Sequence, residues 1–328
     1  MNESRTVFPR KKIGFYPLIL LLGCMCAASV PLWFRFSHVG EATAGIWRMI
    51  FALPFLFIWM YLEPKKNLQQ RGGSVMTGQA YGLLAFAGFI FAFDILLFNS
   101  ALTYVSVTNV AILAGLSPFL MIFKAVVFER LHLTSWMVLA LGVAFLGVIL
   151  LLLGAGAPKA SHTELLQETN AFNEFFGSAL ALGSSISFGL YLLCLRQVRR
   201  YNVSAARVVG VSVMFAALGS LLLALILGET LVPQGTESWL SLIGLGVIGH
   251  FLGHGLMTVS FRHVSAVLAS ASVFLLPGFS ALLAWIFLKE SVTWLQLLGA
   301  ILVLSSLMYL SPQTEVMDDK KIPQSSKT

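Results

Sequence analysis

Long apolar stretches separated by short polar connections cover most of the chain. About 20 apolar residues suffice for an α-helix to cross the hydrocarbon of a bilayer. In lipid, the backbone polar groups can be satisfied only within helices or closed barrels. The pattern therefore predicts an all-α integral membrane protein with ten transmembrane helices, at residues 14–36, 43–62, 78–99, 106–128, 133–155, 175–196, 206–228, 238–259, 265–288 and 292–311.

The polar connections divide these stretches into two blocks of five. The longest connection, 156–174, lies between the fifth and the sixth stretch. We therefore expect a cytoplasmic tail at 1–12, one five-helix unit at 13–155, and a second at 175–311, with 156–174 as an extracytoplasmic linker. The polar segment 312–328 is typical of a disordered cytoplasmic tail.

Composition and charge agree with a membrane protein. The chain is 58% hydrophobic and 11% charged, whereas soluble domains have about 25% charged residues. The net charge of +7 does not indicate nucleic-acid binding, because the basic residues lie at the ends of apolar stretches, where they set orientation. Their distribution predicts a plasma (inner) membrane protein with both termini cytoplasmic, on the side of Arg5, Arg10, Lys11, Lys12, Lys65, Lys66, Arg71, Arg196, Arg199, Arg200 and Arg207.

The N-terminus also has features of a cleavable signal. Arg10-Lys11-Lys12 precedes an apolar run, and Leu21-Leu22-Gly23-Cys24 approaches a lipoprotein cleavage site. The apolar run continues through Val30 to Trp33, so that cleavage would leave half a helix. We therefore favour retention of this segment as the first span.

A short internal repeat relates the two blocks. Pro118 lies thirteen residues after Val105 in Tyr104-Val105-Ser106, and Pro277 lies thirteen residues after Val264 in His263-Val264-Ser265. A unit of five spans is odd, so the second unit enters the membrane in the opposite sense. The repeat therefore predicts two inverted five-helix repeats, an arrangement common in secondary transporters.

Several short motifs in this order resemble those of a known family. The chain is similar to the drug/metabolite transporter superfamily in its ten-span EamA type, and the motifs concerned are Gly40-Glu41-Ala42, Trp47-Arg48-Met49, Ala101 to Ser106, Leu116-Ser117-Pro118, Phe128-Glu129-Arg130, Ser270 to Pro277 and Leu288-Lys289-Glu290. The resemblance covers about residues 13–311. It implies transport of a small-molecule substrate, which in this family is an amino acid, another metabolite or a drug.

Two ionisable residues in neighbouring spans are candidates for a substrate site or a gate. Arg48 and Asp94 each lie about six residues from the outer end of their spans, so antiparallel helices place them at similar depth. A charge inside a span costs about 2.5–3.5 kcal/mol on insertion scales. The pair can hold a substrate carboxylate or phosphate, or can instead form a structural ion pair. An Arg48 that extends to the interface is the third alternative.

His250 and His254 are candidates for proton coupling. Their i, i+4 spacing places them on one helical face near mid-membrane. Histidine titrates near physiological pH, so the pair can bind and release protons. Neutral, packed imidazoles explain the spacing as well. Although a metal suits the spacing, no further ligand completes a site, and we expect neither metal nor cofactor.

Pro118 and Pro277 interrupt matching spans. Interrupted helices at corresponding places point to the binding site of inverted-repeat transporters, although harmless kinks are the alternative. Ser117 is adjacent to Pro118, and Ser270 and Ser272 precede Pro277, so these hydroxyl groups are candidate substrate contacts.

Two other functions remain open at this stage. A membrane scaffold or assembly factor can have the same hydropathy pattern as a transporter. The second is an intramembrane serine protease, because Gly183-Ser184-Ser185 and His250 place a serine and a histidine in different spans. No nucleotide-binding P-loop motif occurs, so the sequence offers no support for direct ATP coupling.

Overall fold

The computed structural model describes residues 15–62, 78–117, 120, 134–153, 171–198, 201, 203, 205–261 and 275–320. Within these ranges the chain is helical and contains no strand. The helices are α1 (Tyr16–Ala28), α2 (Val30–Ser37), α3 (Glu41–Leu62), α4 (Gly78–Tyr104), α5 (Val107–Ala114), α6 (Ser135–Leu153), α7 (Ala171–Val198), α8 (Ala205–Leu227), α9 (Thr236–Ile243), α10 (Gly253–Phe261), α11 (Leu275–Leu288) and α12 (Trp294–Lys320). A π-helical segment, Gly244–Leu252, joins α9 to α10.

Six helical segments of the described chain are long and apolar enough to cross a membrane: Tyr16–Ser37, Glu41–Leu62, Gly78–Tyr104, Phe172–Leu195, Ala206–Leu227 and Thr236–Met257. Each overlaps one predicted span. Three shorter apolar helices, Ser135–Leu150, Leu275–Leu288 and Trp294–Ser306, overlap three more. The all-helical prediction is confirmed for the described residues, whereas the number of ten helices stays a prediction.

The structure differs from the predicted boundaries at several places, one of which is the end of α4 at Tyr104 rather than at residue 99. The first span is divided at Ser29, whose hydroxyl donates to the carbonyl of Cys26 ahead of Pro31. Helix α7 begins at Ala171, inside the predicted linker. Helix α12 extends to Lys320, so part of the tail expected to be disordered is helical. Segment 313–320 contains no glycine or proline that would end the helix. Hydropathy alone does not predict this continuation of the helix.

Helix α4 is the centre of one group of contacts, since it packs along both α7 and α8. Helix α3 also packs on α8, and the α9–α10 segment contacts α1 and α3. The remaining principal contacts pair α5 with α11 and α6 with α12. Many large apolar side chains face outward, such as Phe145 and Ile226, as expected for a lipid-facing surface.

Candidate functional site: a central polar cavity

A cavity of about 180 Å³ is lined by residues of α1, α2, α3, α4, α5, α7, α10, α11 and α12. Most of its wall is apolar, with a small number of polar side chains that converge on it. This combination is typical of small-molecule sites. The polar side chains at its wall are Arg48, Asp94, Ser117, Ser184, His254 and Ser280.

The Arg48 guanidinium is buried at this wall, with 7% of the residue exposed. Its carbon Cζ lies 6.0 Å from the centre of the Phe91 ring, a distance at which a cation is attracted to an aromatic face. Its Nε has no hydrogen-bond partner among the described residues. Arg48 therefore does not extend to the interface, which removes the third alternative given above.

The Asp94 carboxylate is buried to the same degree as Arg48 and lines the same cavity. Its Oδ1 accepts a hydrogen bond from the Ser184 hydroxyl of α7 at 2.6 Å. Within the described chain, Arg35 and Glu290 form a side-chain ion pair closer than 4.0 Å, whereas Arg48 and Asp94 do not. The two charges therefore share one cavity and keep hydrogen-bonding capacity for a third group.

The two candidate histidines occupy different environments. His254 lines the cavity, whereas His250 is buried beside it, with its ring 5.9 Å from that of Phe91. The two imidazole rings lie 4.9 Å apart. Neither ring nitrogen of His250 has a hydrogen-bond partner among the described residues. The described ranges contain no cluster of three His, Cys, Asp or Glu residues that could hold a metal ion.

Pro277 of α11 and Ser117, on the turn that follows α5, both line the cavity. The two elements meet closely, since a methyl group added at Gly115 would lie 3.5 Å from Cγ of Pro277. The predictions for Pro118, Ser270 and Ser272 fall outside the described residues. The structure thus brings Arg48, Asp94, Ser117, His254 and Pro277 to one cavity and leaves His250 beside it.

The geometry does not support a serine protease. Ser184 donates its hydroxyl to Asp94, and Ser185 faces a separate apolar cavity between α6 and α7. Because His250 has no hydrogen-bond partner in the described chain, neither serine is paired with this base. A nucleophile needs such a base within about 3 Å.

A second polar cluster joins the two halves at the predicted outer end. Both carboxylate oxygens of Glu290 accept hydrogen bonds from the backbone N–H of Val107, at 3.0 and 3.2 Å. The guanidinium of Arg35 lies 3.9 Å from the same carboxylate and donates to the carbonyl of Val105. Burial raises the pKa of Glu290, while the Val107 hydrogen bond and Arg35 oppose this shift. The cluster fixes the start of α5 to the α11–α12 turn.

Glu229 makes an equivalent connection to α3. Its carboxylate accepts hydrogen bonds from the backbone N–H groups of Ala42 and Thr43, at 3.1 and 2.7 Å. Gly228, with φ of 68°, ends α8 and turns the chain so that Glu229 follows. Carboxylates at helix N-termini satisfy free N–H groups and complement the helix dipole. Two carboxylates of the second half thus cap two helices of the first.

Sequence reasoning missed the roles of Ser184, Glu229 and Glu290. Ser184 was considered only as a nucleophile, although the small residues of Gly183-Ser184-Ser185 are typical of a close helix contact. Glu290 was noted as part of a family motif without a role. Each carboxylate follows a helix end and precedes a turn, which is a usable signal for capping in other chains.

Comparison with known proteins decides the family. The model of the EamA-like transporter family matches residues 14–153 and again residues 175–311. The chain belongs to the EamA-like transporter family. It is therefore a multi-pass integral membrane protein of a family of transporters, which are generally not enzymes.

Two curated relatives and one solved structure extend this result. The Pseudopaline exporter CntI from two strains of Pseudomonas aeruginosa is 23% identical over 251 residues, which cover 74% of this chain and 80% of the relative. A crystal structure matches with a TM-score of 0.59 at 18% identity, over 92% of this chain and 98% of the matched one. The structural match shows a shared fold.

Proposed function

We propose that this EamA-family protein moves a small zwitterionic metabolite across the plasma (inner) membrane by alternating access around the central cavity. The observation that carries the proposal is the pair of buried opposite charges, Arg48 and Asp94, at one cavity wall without a direct ion pair. Burying such groups is costly unless they are satisfied, so the cargo itself is the natural partner of both.

Several helix contacts support two inverted five-helix repeats. In this division α1 and α2 together correspond to α7, α3 corresponds to α8, and α4 corresponds to the α9–α10 segment. The contact of α4 with α7 then corresponds to the contact of the α9–α10 segment with α1. In the same way, α4 on α8 corresponds to the π segment on α3, and α5 on α7 to α11 on α1. The two separate family matches support the same division, with 156–174 as the linker. The cavity then lies between the repeats.

The cavity chemistry favours a cargo with both signs of charge. Arg48 donates to a carboxylate with planar geometry, and Asp94 accepts from an ammonium group. The Phe91 ring provides an apolar surface next to Arg48. An amino acid or a related amino carboxylate has these three features, whereas an uncharged drug would leave both charges unsatisfied.

The charge distribution and the relatives favour export. Both termini are cytoplasmic in the orientation given by the basic residues. In that orientation the Arg35–Glu290–Val107 cluster lies on the outer side of the membrane. The curated relatives are named as exporters. We extend the same outward direction of transport to this chain.

Proton coupling by His250 and His254 is part of the proposal. The adjacent rings lie near Phe91 and Arg48, so a charge on either imidazole acts on the cation that holds the cargo carboxylate. A protonated imidazole would repel Arg48 and the ammonium group of the cargo and would attract its carboxylate, so protonation would change the affinity for cargo. A facilitator without coupling would show no dependence on the proton gradient.

The decisive experiment is flux in proteoliposomes. Metabolite profiling of cells with and without the gene first selects candidate cargoes, and purified protein is then tested with them. We expect flux with wild type, a loss of at least tenfold with Arg48→Gln and Asp94→Asn, and no loss with Arg207→Gln, which removes an exposed charge. Folded wild-type protein without flux for any selected metabolite would favour the scaffold alternative.

A further inference from the structure

The segment Gly244–Leu252 is π-helical, although it lies in the middle of a continuous span. A π turn holds one more residue than an α turn and occurs frequently at functional sites. The corresponding helix of the first repeat, α4, is an uninterrupted α-helix from Gly78 to Tyr104. The inference below rests on the two-repeat organisation proposed above.

Near the start of the π segment, Gly246 corresponds to Gly88. A methyl group added at Gly88 would lie 2.6 Å from the carbonyl oxygen of Ser212 and 2.5 Å from Cβ of Phe215, three residues further along α8. A methyl group at Gly246 would lie 2.8 Å from the carbonyl oxygen of Arg48 and 2.6 Å from Cβ of Phe51, three residues further along α3. The two glycines therefore occupy equivalent positions.

After the π turn, Leu256 corresponds to Leu97. The Leu97 side chain lies 3.2 Å from a methyl group added at Gly183 on α7. Cβ of Leu256 lies 3.0 Å from one added at Gly23 on α1, and the backbone nitrogen of Met257 lies at the same distance. In both pairs of corresponding helices, a leucine thus packs against a glycine.

The number of residues between the two contacts differs between the two helices. Leu97 is nine residues after Gly88, but Leu256 is ten residues after Gly246. We propose that the second helix carries a one-residue insertion, stored as the π turn, which holds Gly246 against α3 while placing His254 in the central cavity.

A regular α-helix of the same sequence cannot meet both conditions. One residue of α-helix corresponds to about 100° of rotation and 1.5 Å of rise. With Gly246 held in place, loss of the π turn would bring Gly253 to the position of His254. Leu252 would then replace Gly253, where a Cβ lies 2.8 Å from the backbone nitrogen of Ala27. The insertion is therefore a positioning device for His254, which adds a polar cavity contact from the second repeat.

Single-residue deletions test the inference. Ile248 and Val247 lie inside the π segment, and Ile90 is the matched half-buried position in α4. Removing Ile248 leaves both halves of the helix in register, because a regular α turn replaces the π turn. Removing Ile90 rotates Asp94 by about 100° relative to Gly88. For the Ile248 deletion we expect folded, monodisperse protein at half the wild-type yield or more. For the Ile90 deletion we expect the yield of folded protein to fall tenfold.

A cysteine at position 254 reports the position itself. In a background with Cys24, Cys26 and Cys194 replaced by alanine, His254→Cys is labelled with N-ethylmaleimide with and without the Ile248 deletion. We expect labelling rates within twofold of each other, since the residue keeps its place at the cavity wall.

Three results would overturn the inference: loss of folded protein in both the Ile248 and the Val247 deletions, tolerance of the Ile90 deletion, or a tenfold change in the labelling rate of the His254→Cys variant. All three are measured without flux. Absence of flux in wild type would therefore count against the proposed function alone.

Discussion

In the proposed two-repeat organisation, helix α4 corresponds to the helix formed by α9, the π segment and α10, but the two helices carry different side chains near the cavity. Helix α4 is regular and carries Asp94, whose carboxylate accepts the Ser184 hydrogen bond. The other helix contains the π turn and carries His250, whose nitrogens have no partner in the described chain. One helix carries a carboxyl group that is held by a neighbouring hydroxyl, and the other carries an imidazole without a hydrogen-bond partner among the described residues.

This difference indicates that the two helices position their polar side chains in different ways. Asp94 is held by Ser184 on the neighbouring helix, so its position is determined by packing. We assign the placement of His254 to the π segment of its own helix. For the proposed zwitterionic cargo, this asymmetry would distinguish the two ends of the molecule.

The largest expected effect comes from removing the cavity charges. Arg48→Gln and Asp94→Asn each delete a charge-assisted hydrogen bond to cargo, worth about 1.5–3 kcal/mol. Flux should fall tenfold to a hundredfold while folded yield is retained. The measurement is initial flux per folded protein in liposomes. Unchanged flux in both variants would show that neither charge is needed by the cargo.

The two close-packed glycines should be equally sensitive. Gly88→Leu and Gly246→Leu force a side chain into backbone at less than 3 Å, and overpacking costs about 1–3 kcal/mol. We expect both to lower the thermal midpoint in detergent. Gly82→Leu and Gly255→Leu are controls in the same helices, because a methyl group there meets nothing within 4 Å. Equal losses in controls and tests would contradict the correspondence.

A smaller effect is expected at Ser184. Ser184→Ala removes the hydroxyl that orients Asp94 but leaves its charge. The KM for cargo should rise about tenfold, in line with one hydrogen bond to a charged group, whereas maximal flux changes little. Ser185→Ala is the control, since Ser185 faces the other cavity. A larger effect at Ser185 would exclude this role for Ser184.

The smallest effect concerns pH. If the histidines couple transport to protons, His254→Gln and His250→Gln should flatten the dependence of flux on pH. Wild-type flux measured at fixed cargo gradient provides the reference. A profile unchanged in both variants would assign the histidines to packing.

Hydropathy predicted the apolar helices that the structure shows within the described residues, and the short motifs predicted the family. Antiparallel order predicted the common depth of Arg48 and Asp94, which line one cavity. Sequence reasoning could not distinguish Ser184 from Ser185, since one residue changes the direction of a side chain by about 100°. The π turn was also inaccessible. It depends on contacts of Gly246 and Leu256 with two other helices, and neither residue is unusual in the sequence.

The central claim is that Asp94 and Arg48 bind the two ends of a zwitterion. Its most direct test compares liposome flux of the best-transported amino acid with that of its amine analogue, which lacks the carboxylate, in wild type and in Arg48→Gln. We predict that removing the carboxylate lowers wild-type flux tenfold or more but has little further effect in Arg48→Gln, because the group that binds it is already lost. Independent losses that multiply in the variant would contradict the account.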